Sequence, residues 1–255
     1  MKKENKPIFV FPYHDPKGEY NKIFKKNLGL LKDIFSGVCV SATLATVNNN
    51  ADFLSFLRDE GCVVHKNNNG SMIGDHFRNA LNVGLKKYNI QPAYFYFGFI
   101  DRVLFDLETK FKDKFIEDIK TEYKEDFIIF SRSKEAWQTH PKDYCDLEKI
   151  IADAGRIFTD KILDWIWCGA LIKKDLAELI VKDSKLNDFA VLAEFIMIAR
   201  KNDKTIESKD ADWLAWEEPF WAKQNNQSSP SNTLNEKEKA FRLSYCLKAM
   251  ELFLK

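Results

Sequence analysis

The first hundred residues repeat one pattern: a short run of continuous apolar positions, then a longer stretch with apolar residues at helical spacing. The apolar runs are "PIFVFPY" (7–13), "GVCVSAT" (37–43), "GCVVHK" (61–66) and "AYFYFGF" (93–99), and each predicts a strand. Between them, residues 20–35, 51–59 and 72–88 predict helices, the last with an apolar stripe of Ile73, Phe77, Ala80, Leu81 and Tyr88. Strands that are continuously apolar, rather than alternating, are covered on both faces, and helices between them imply a mainly parallel sheet. This is the pattern of an α/β protein.

The second half keeps the helices and loses the rhythm. "DFIIFSRS" from Asp126 predicts a fifth strand, and "DLEKIIADAGRIFTDKILDWIWCGALI" a helix followed by an apolar segment. "KKDLAELIVKD" and "DFAVLAEFIMIARKND" predict two more helices, and "KQNNQSSPSNT" a surface loop. Thr233 with Glu236 has the spacing of a capping box opening a final helix. The expected organisation is one α/β domain over 1–222, divided near residue 110, then a loop at 223–233 and a carboxy-terminal helix at 234–255 packed on it.

Composition narrows the function classes. Lys plus Arg number 39 against 38 Asp plus Glu, a formal charge of +1, which gives no support for a nucleic-acid or anionic-membrane surface. Five cysteines without C-x-x-C spacing read as reduced thiols of a cytoplasmic protein, not a disulfide frame or a zinc site. The basic start "MKKENKPIFVFPYHDP" has too few apolar residues before Pro12 for a signal or membrane segment.

Ligands of open parallel sheets bind beyond the carboxyl ends of the strands. That rule selects Tyr13, His14 and Asp15 after the first strand, Ser41 and Thr43 after the second, and Asp101 and Arg102 after the fourth. The alternative for Asp101 is a helix cap, since "DRVLFDLE" also fits a helix start. His65 and His76 have no ligand spacing and read as structural. No G-x-G-x-x-G, Walker A or G-x-S-x-G motif is present, against a nicotinamide dehydrogenase, a P-loop enzyme or an α/β-hydrolase.

The stretch "NNNGSMIGDHFRNALNVGLKKYNIQPAYFYFGFIDR" (67–102) resembles the core of the GT-A glycosyltransferases. In that family a Gly-rich turn, a helix with an Arg-Asn pair and a strand ending in Asp-x-Asp follow in this order. Gly70, Arg78, Asn79 and Asp101 stand at the matching places, and "DWIWCGALIKKDLAELI" resembles the acceptor-side segment. The resemblance implies a three-layer α/β/α GT-A-like domain. It also implies a transferase moving a sugar from a nucleotide-diphosphate sugar to a saccharide, lipid or protein acceptor, with Mn²⁺ or Mg²⁺ on Asp101 neutralising the leaving diphosphate. Tyr13, His14, Thr43, Gly70, Arg78, Asn79, Asp101 and Arg102 would bind the donor, and Asp164 or Glu148 would be the base, with Asp160 behind them. Arg132, Trp137 and His140, or Trp213, Trp216 and Trp221, would line the sugar site or anchor loops.

The chain departs from that pattern at Phe99, where the family's first Asp stands. A metal held mainly by substrate, a metal-free transferase relying on arginines, and a non-catalytic nucleotide-sugar-binding or scaffolding protein all remain compatible with Phe99-Ile100-Asp101. A nucleotidyltransferase ranks behind these, because "PYHDPKGEY" lacks the Gly-rich basic loop such enzymes carry after the first strand.

Overall fold

The computed structural model describes residues 6–88, 94–228, 230–231 and 233–254. Ala93 of the expected fourth strand, residues 1–5 of the basic start, positions 229 and 232 of the expected loop, and Lys255 lie outside the described residues. The order along the chain begins β1 (Ile8–Tyr13), α1 (Asn21–Ile34), β2 (Gly37–Ala42), α2 (Leu44–Asn49), α3 (Ala51–Asp59), β3 (Val63–Lys66), α4 (Ile73–Lys87) and β4 (Tyr94–Gly98). It continues α5 (Ile100–Leu107), α6 (Lys112–Lys120), β5 (Phe127–Arg132), α7 (Lys134–Thr139), α8 (Lys142–Thr159), β6 (Gly169–Lys173) and α9 (Lys174–Asp183). It closes with α10 (Val191–Lys201), β7 (Ile206–Ala211), α11 (Glu218–Gln224) and α12 (Glu236–Glu251).

The strands form one seven-stranded sheet in the order β3-β2-β1-β4-β6-β5-β7. β6 runs antiparallel to both its neighbours, and every other pairing is parallel. Both faces are covered. Ile8, Val10, Phe95, Phe97, Phe127 and Ile129 pack with α4, α9, α10 and α12 on one side. Phe9, Phe11, Tyr13, Tyr96, Ile128 and Phe130 pack with α1, α3, α5 and α6 on the other. Consecutive side chains of one strand thus enter opposite cores, which is why the strands read as unbroken apolar runs.

Several sequence expectations shift by known physical causes. The capping box of α12 is formed by Asn235 and Glu238, not Thr233 and Glu236; the Asn235 side chain accepts from the Glu238 N–H and the Glu238 carboxylate from the Asn235 N–H, each at 3.0 Å. "GALIK" is a strand, the antiparallel β6. β7, with the sequence IESKDA, was not expected: it is an edge strand whose first four side chains are only half-buried, so it carries little apolar signal.

The join between β4 and β6 sets up the ligand edge. Gly98 and Gly169 are cross-strand partners, and a Cβ on either would come within 3 Å of the buried Tyr96 ring or its hydroxyl. β4 therefore ends beside the start of β6 and turns at once into α5. On the other side of β4, α4 is seated by a second close approach, at Gly74, where a Cβ would lie 1.9 Å from the Leu186 carbonyl oxygen. Gly74→Ala is expected to destabilise the protein by about 1–3 kcal/mol through overpacking against this backbone, measured as a lower denaturation midpoint with an unchanged slope.

Candidate active site

Three cavities meet at Asp101. The largest, about 520 Å³, lies over the carboxyl ends of β1 and β2 and is lined by Tyr13, His14, Tyr20, Thr43, His76 and Phe99 among others. The second, about 230 Å³, lies on the β6 side and is lined by Arg102, Tyr144, Glu148, Glu217, Arg242 and Tyr245 with an apolar floor including Trp167. The third, about 210 Å³, opens between Tyr20, Glu217, Glu218 and Trp221.

The β1 wall is built by Asp15. Its buried carboxylate accepts the backbone N–H groups of Glu19 (2.8 Å) and Tyr20 (3.1 Å) and the Tyr13 hydroxyl (3.0 Å). Its own N–H donates to Thr46 Oγ1 at 2.8 Å, and Asn50 Nδ2 donates to its carbonyl at 3.0 Å. This tight turn holds Tyr20 over the cleft. It also places the exposed His14 ring with Nδ1 2.9 Å from Thr43 Oγ1, the residue that caps α2.

Asp101 is not the cap of α5, whose N-cap is Phe99 with no side-chain cap bond. It stands in the first turn of α5, where a carboxylate is favoured by the helix dipole, and it lines all three cavities. Burial raises its pKa, opposed by the adjacent Arg102 and by N–H groups at the start of the helix. The Arg102 guanidinium is buried, donates to the Ala215 carbonyl and is ion-paired with Glu217. Burial lifts the Glu217 carboxyl to about 7, with Arg102 holding it down and Asp101 pushing it up. Nothing local in "WEEPF" distinguishes Glu217 from a surface acid; only the fold brings it to Asp101.

Other expected site residues are placed elsewhere. Gly70 adopts φ +85° in the turn before α4 and lines none of the three cavities, although Ser71 and Met72 line the largest. Arg78 spends its guanidinium on Asp75 (2.7 Å), Asn187 Oδ1 (2.7 Å), the Leu186 carbonyl (2.6 Å) and Ser184 (3.3 Å), so it clamps α4 to the 184–187 segment, and it lines none of the three cavities. Asn79 donates to Asn67 Oδ1 at 2.7 Å and has the same structural character.

The two carboxylates expected to act as base flank Arg132. Asp164 accepts from its Nε and Nη2, both at 2.7 Å, and is only 7% exposed; it lines none of the three cavities, and each of its oxygens is held by Arg132. Glu148 is held by Arg132 through one oxygen, and by Tyr245 (2.9 Å) and Arg242 (3.2 Å) through the other. It reaches the edge of the second cavity as part of this network. Asp160 caps α8 in the left-handed conformation at φ 54°. Trp137 lies 3.7 Å over the Arg132 guanidinium, and His140, buried beside it, is held down to about 3 by burial and by Arg132. Trp213 is a buried anchor, its indole N–H donating to Asp118 at 2.9 Å. Trp216 packs on His140, and Trp221 lines the third cavity.

No protein-family model and no curated protein sequence matches the chain. Solved structures match it in fold. Glucosyl-3-phosphoglycerate synthase from Mycobacterium tuberculosis, in complex with Mn²⁺, uridine diphosphate and phosphoglyceric acid, aligns over 96% of this chain and 78% of its own, with TM-score 0.54 and 10% identity. The same enzyme with Mn²⁺, uridine diphosphate and glucosyl-3-phosphoglycerate aligns over 98% and 79%, with TM-score 0.55 and 8% identity. A structure described as a mycobacterial protein gives TM-score 0.57 over 98% and 74%, with 10% identity. The chain has the GT-A nucleotide-diphospho-sugar transferase fold.

Within the GT-A fold, the donor set here does not make a protein-held metal site. Phe99 replaces the first acid and packs into the core, its ring centroid 5.5 Å from that of Phe77 and 6.2 Å from that of Phe97. Among the described residues, no three His, Cys, Asp or Glu groups are gathered closely enough to hold an ion. Asp101 supplies one carboxylate alone.

The Arg132 network supports the wall of the second cavity, and removing one member of a buried ion cluster leaves uncompensated charge. Arg132→Leu is expected to cost about 3–5 kcal/mol of unfolding free energy. The double variant Arg132→Leu, Asp164→Leu is expected to cost less than the single one, as read by denaturant titration of both.

Proposed function

We propose that the protein is a glycosyltransferase that takes a sugar from a nucleoside-diphosphate sugar and transfers it to a hydroxyl-bearing acceptor. The observation that carries this reading is the junction at Asp101. A cavity over the ends of β1 and β2, large enough for a nucleotide, adjoins at this residue a smaller chamber on the β6 side. Two substrates would meet there, with the anomeric carbon between them. The matched GT-A structures that contain uridine diphosphate make a uridine-diphosphate sugar the first donor to test.

Each residue has a part in this scheme. Tyr20, His14 and Thr43 bound the nucleotide, and Asp101 orients the sugar at the junction. The bond from the anomeric carbon to the diphosphate oxygen breaks, and a bond to the acceptor oxygen forms. Glu217 takes the acceptor proton; a carboxyl poised at about 7 suits a general base at neutral pH. Arg102 holds that carboxylate in place. The free cysteines fit a reducing, cytoplasmic setting, and among the described residues no helix is long and apolar enough to cross a membrane.

Phe99 favours a second reading, a nucleotide-sugar-binding protein without turnover. The two readings part on transfer. Thermal unfolding with a panel of nucleoside diphosphates and nucleotide sugars is expected to show a rise of several degrees with one nucleotide at saturation. Radiolabelled donor is then expected to be hydrolysed or transferred; binding with no loss of donor would leave only the binder. If the transferase reading holds, kcat/KM rises with pH through about 7 as Glu217 loses its proton. Glu217→Gln is expected to lower kcat by roughly 10²-fold or more and to flatten that limb, with donor KM little changed.

A further inference from the structure

The 520 Å³ cavity, where the proposed donor's diphosphate would lie, is lined by a single carboxylate, Asp101. Among the described residues, neither Lys nor Arg lines the 520 Å³ cavity. Its ring nitrogens come from two histidines, on opposite elements. His14 follows β1, and its Nδ1 lies against Thr43 Oγ1 at 2.9 Å. Thr43 Oγ1 is 3.0 Å from Thr46 Oγ1, which in turn accepts the Asp15 N–H. This chain of contacts fixes the ring through one nitrogen and leaves Nε2 outside it. His76 stands in the first turn of α4, its half-buried ring lining the same cavity; its Nδ1 is closed off from solvent, which leaves Nε2 as the ring nitrogen a ligand in the cavity could reach. Burial lowers the His76 pKa, with Asp75 opposing the shift and His14 adding to it, so this ring serves as a neutral N–H donor.

Phosphate oxygens are acceptors, and an imidazole N–H is a donor to them. The amino end of the fifteen-residue α4, at the same wall, adds favourable dipole for an anion. We propose that His14 and His76 bind the diphosphate of the nucleotide directly, so that nucleoside-diphosphate binding needs no divalent metal. This inference rests on the transferase or binder reading above, and it assigns the contacts with the phosphate oxygens to imidazole N–H donors.

Calorimetric titration of the intact protein with UDP, GDP and ADP, each in excess EDTA and again in millimolar Mn²⁺, tests it. The expected result is that the nucleotide that binds does so with Kd values within about threefold in the two conditions. His14→Ala and His76→Ala are each expected to weaken it about tenfold, with circular dichroism confirming the fold. In the double variant, the diphosphate and its parent nucleoside are expected to bind equally, because the lost contacts are to phosphate. Binding that appears only with Mn²⁺, or histidine variants that bind as the parent does, would overturn the proposal and leave the nucleotide-sugar reading intact. If none of the three diphosphates binds in either condition, both fail together; the metal comparison on the unmodified chain needs no variant to fold.

Discussion

A charged residue at the end of a strand buried on both faces is stable only if the surrounding elements make room for it, and this chain does so at Asp101. β4 lies in the middle of the sheet, with three strands on either side, and both its faces are filled by aromatic side chains. The glycine pair Gly98 and Gly169 lets β6 lie antiparallel beside it, and the chain turns into α5 within one residue of the strand end. That turn puts Asp101 at a helix amino end, which favours its charge, and in a closed setting, which disfavours it. The ligand edge is arranged around this balance.

The charges nearest Asp101 are handled in pairs. Arg102 is buried against Glu217, and Arg132 against Asp164 and Glu148, so each guanidinium has its carboxylate inside the protein. Buried pairs of this kind fix geometry more than they add stability. In the second chamber they leave one acid, Glu217, near the midpoint of its titration at neutral pH. The larger cavity is different: its polar groups are imidazole, hydroxyl and a single carboxylate, a lining that suits a nucleotide and its phosphates more than a metal cluster.

The fold was legible where the chain obeys one rule at a time. Residues 7–99 gave strands and helices because a strand between two apolar layers must be apolar throughout and the helices over it carry a stripe. β7 was not legible, since an edge strand with a mostly half-buried IESKDA sequence needs little apolar surface. "GALIK" was ambiguous, because five buried residues have no measurable period. In the site, the strand-end rule led to Tyr13, His14, Thr43 and Asp101, which the structure gathers around one cavity. Arg78, Asn79 and Asp164 have the right residue types, yet their partners, from Leu186 to Arg132, are set by packing that periodicity does not record. His76 and Glu217 carry no local signal at all: His76 has no ligand spacing, and Glu217 is one of two adjacent acids in "WEEPF" with no motif around it.

The central claim is that Asp101 marks the place where a nucleotide-bound sugar meets its acceptor. A crystal structure with an intact nucleoside-diphosphate sugar tests it most directly. The account predicts the nucleotide over the ends of β1 and β2, its phosphates against His14 and His76, and the sugar at Asp101 turned toward Glu217. A nucleotide bound elsewhere, or one whose sugar points away from Asp101 and Glu217, would contradict it.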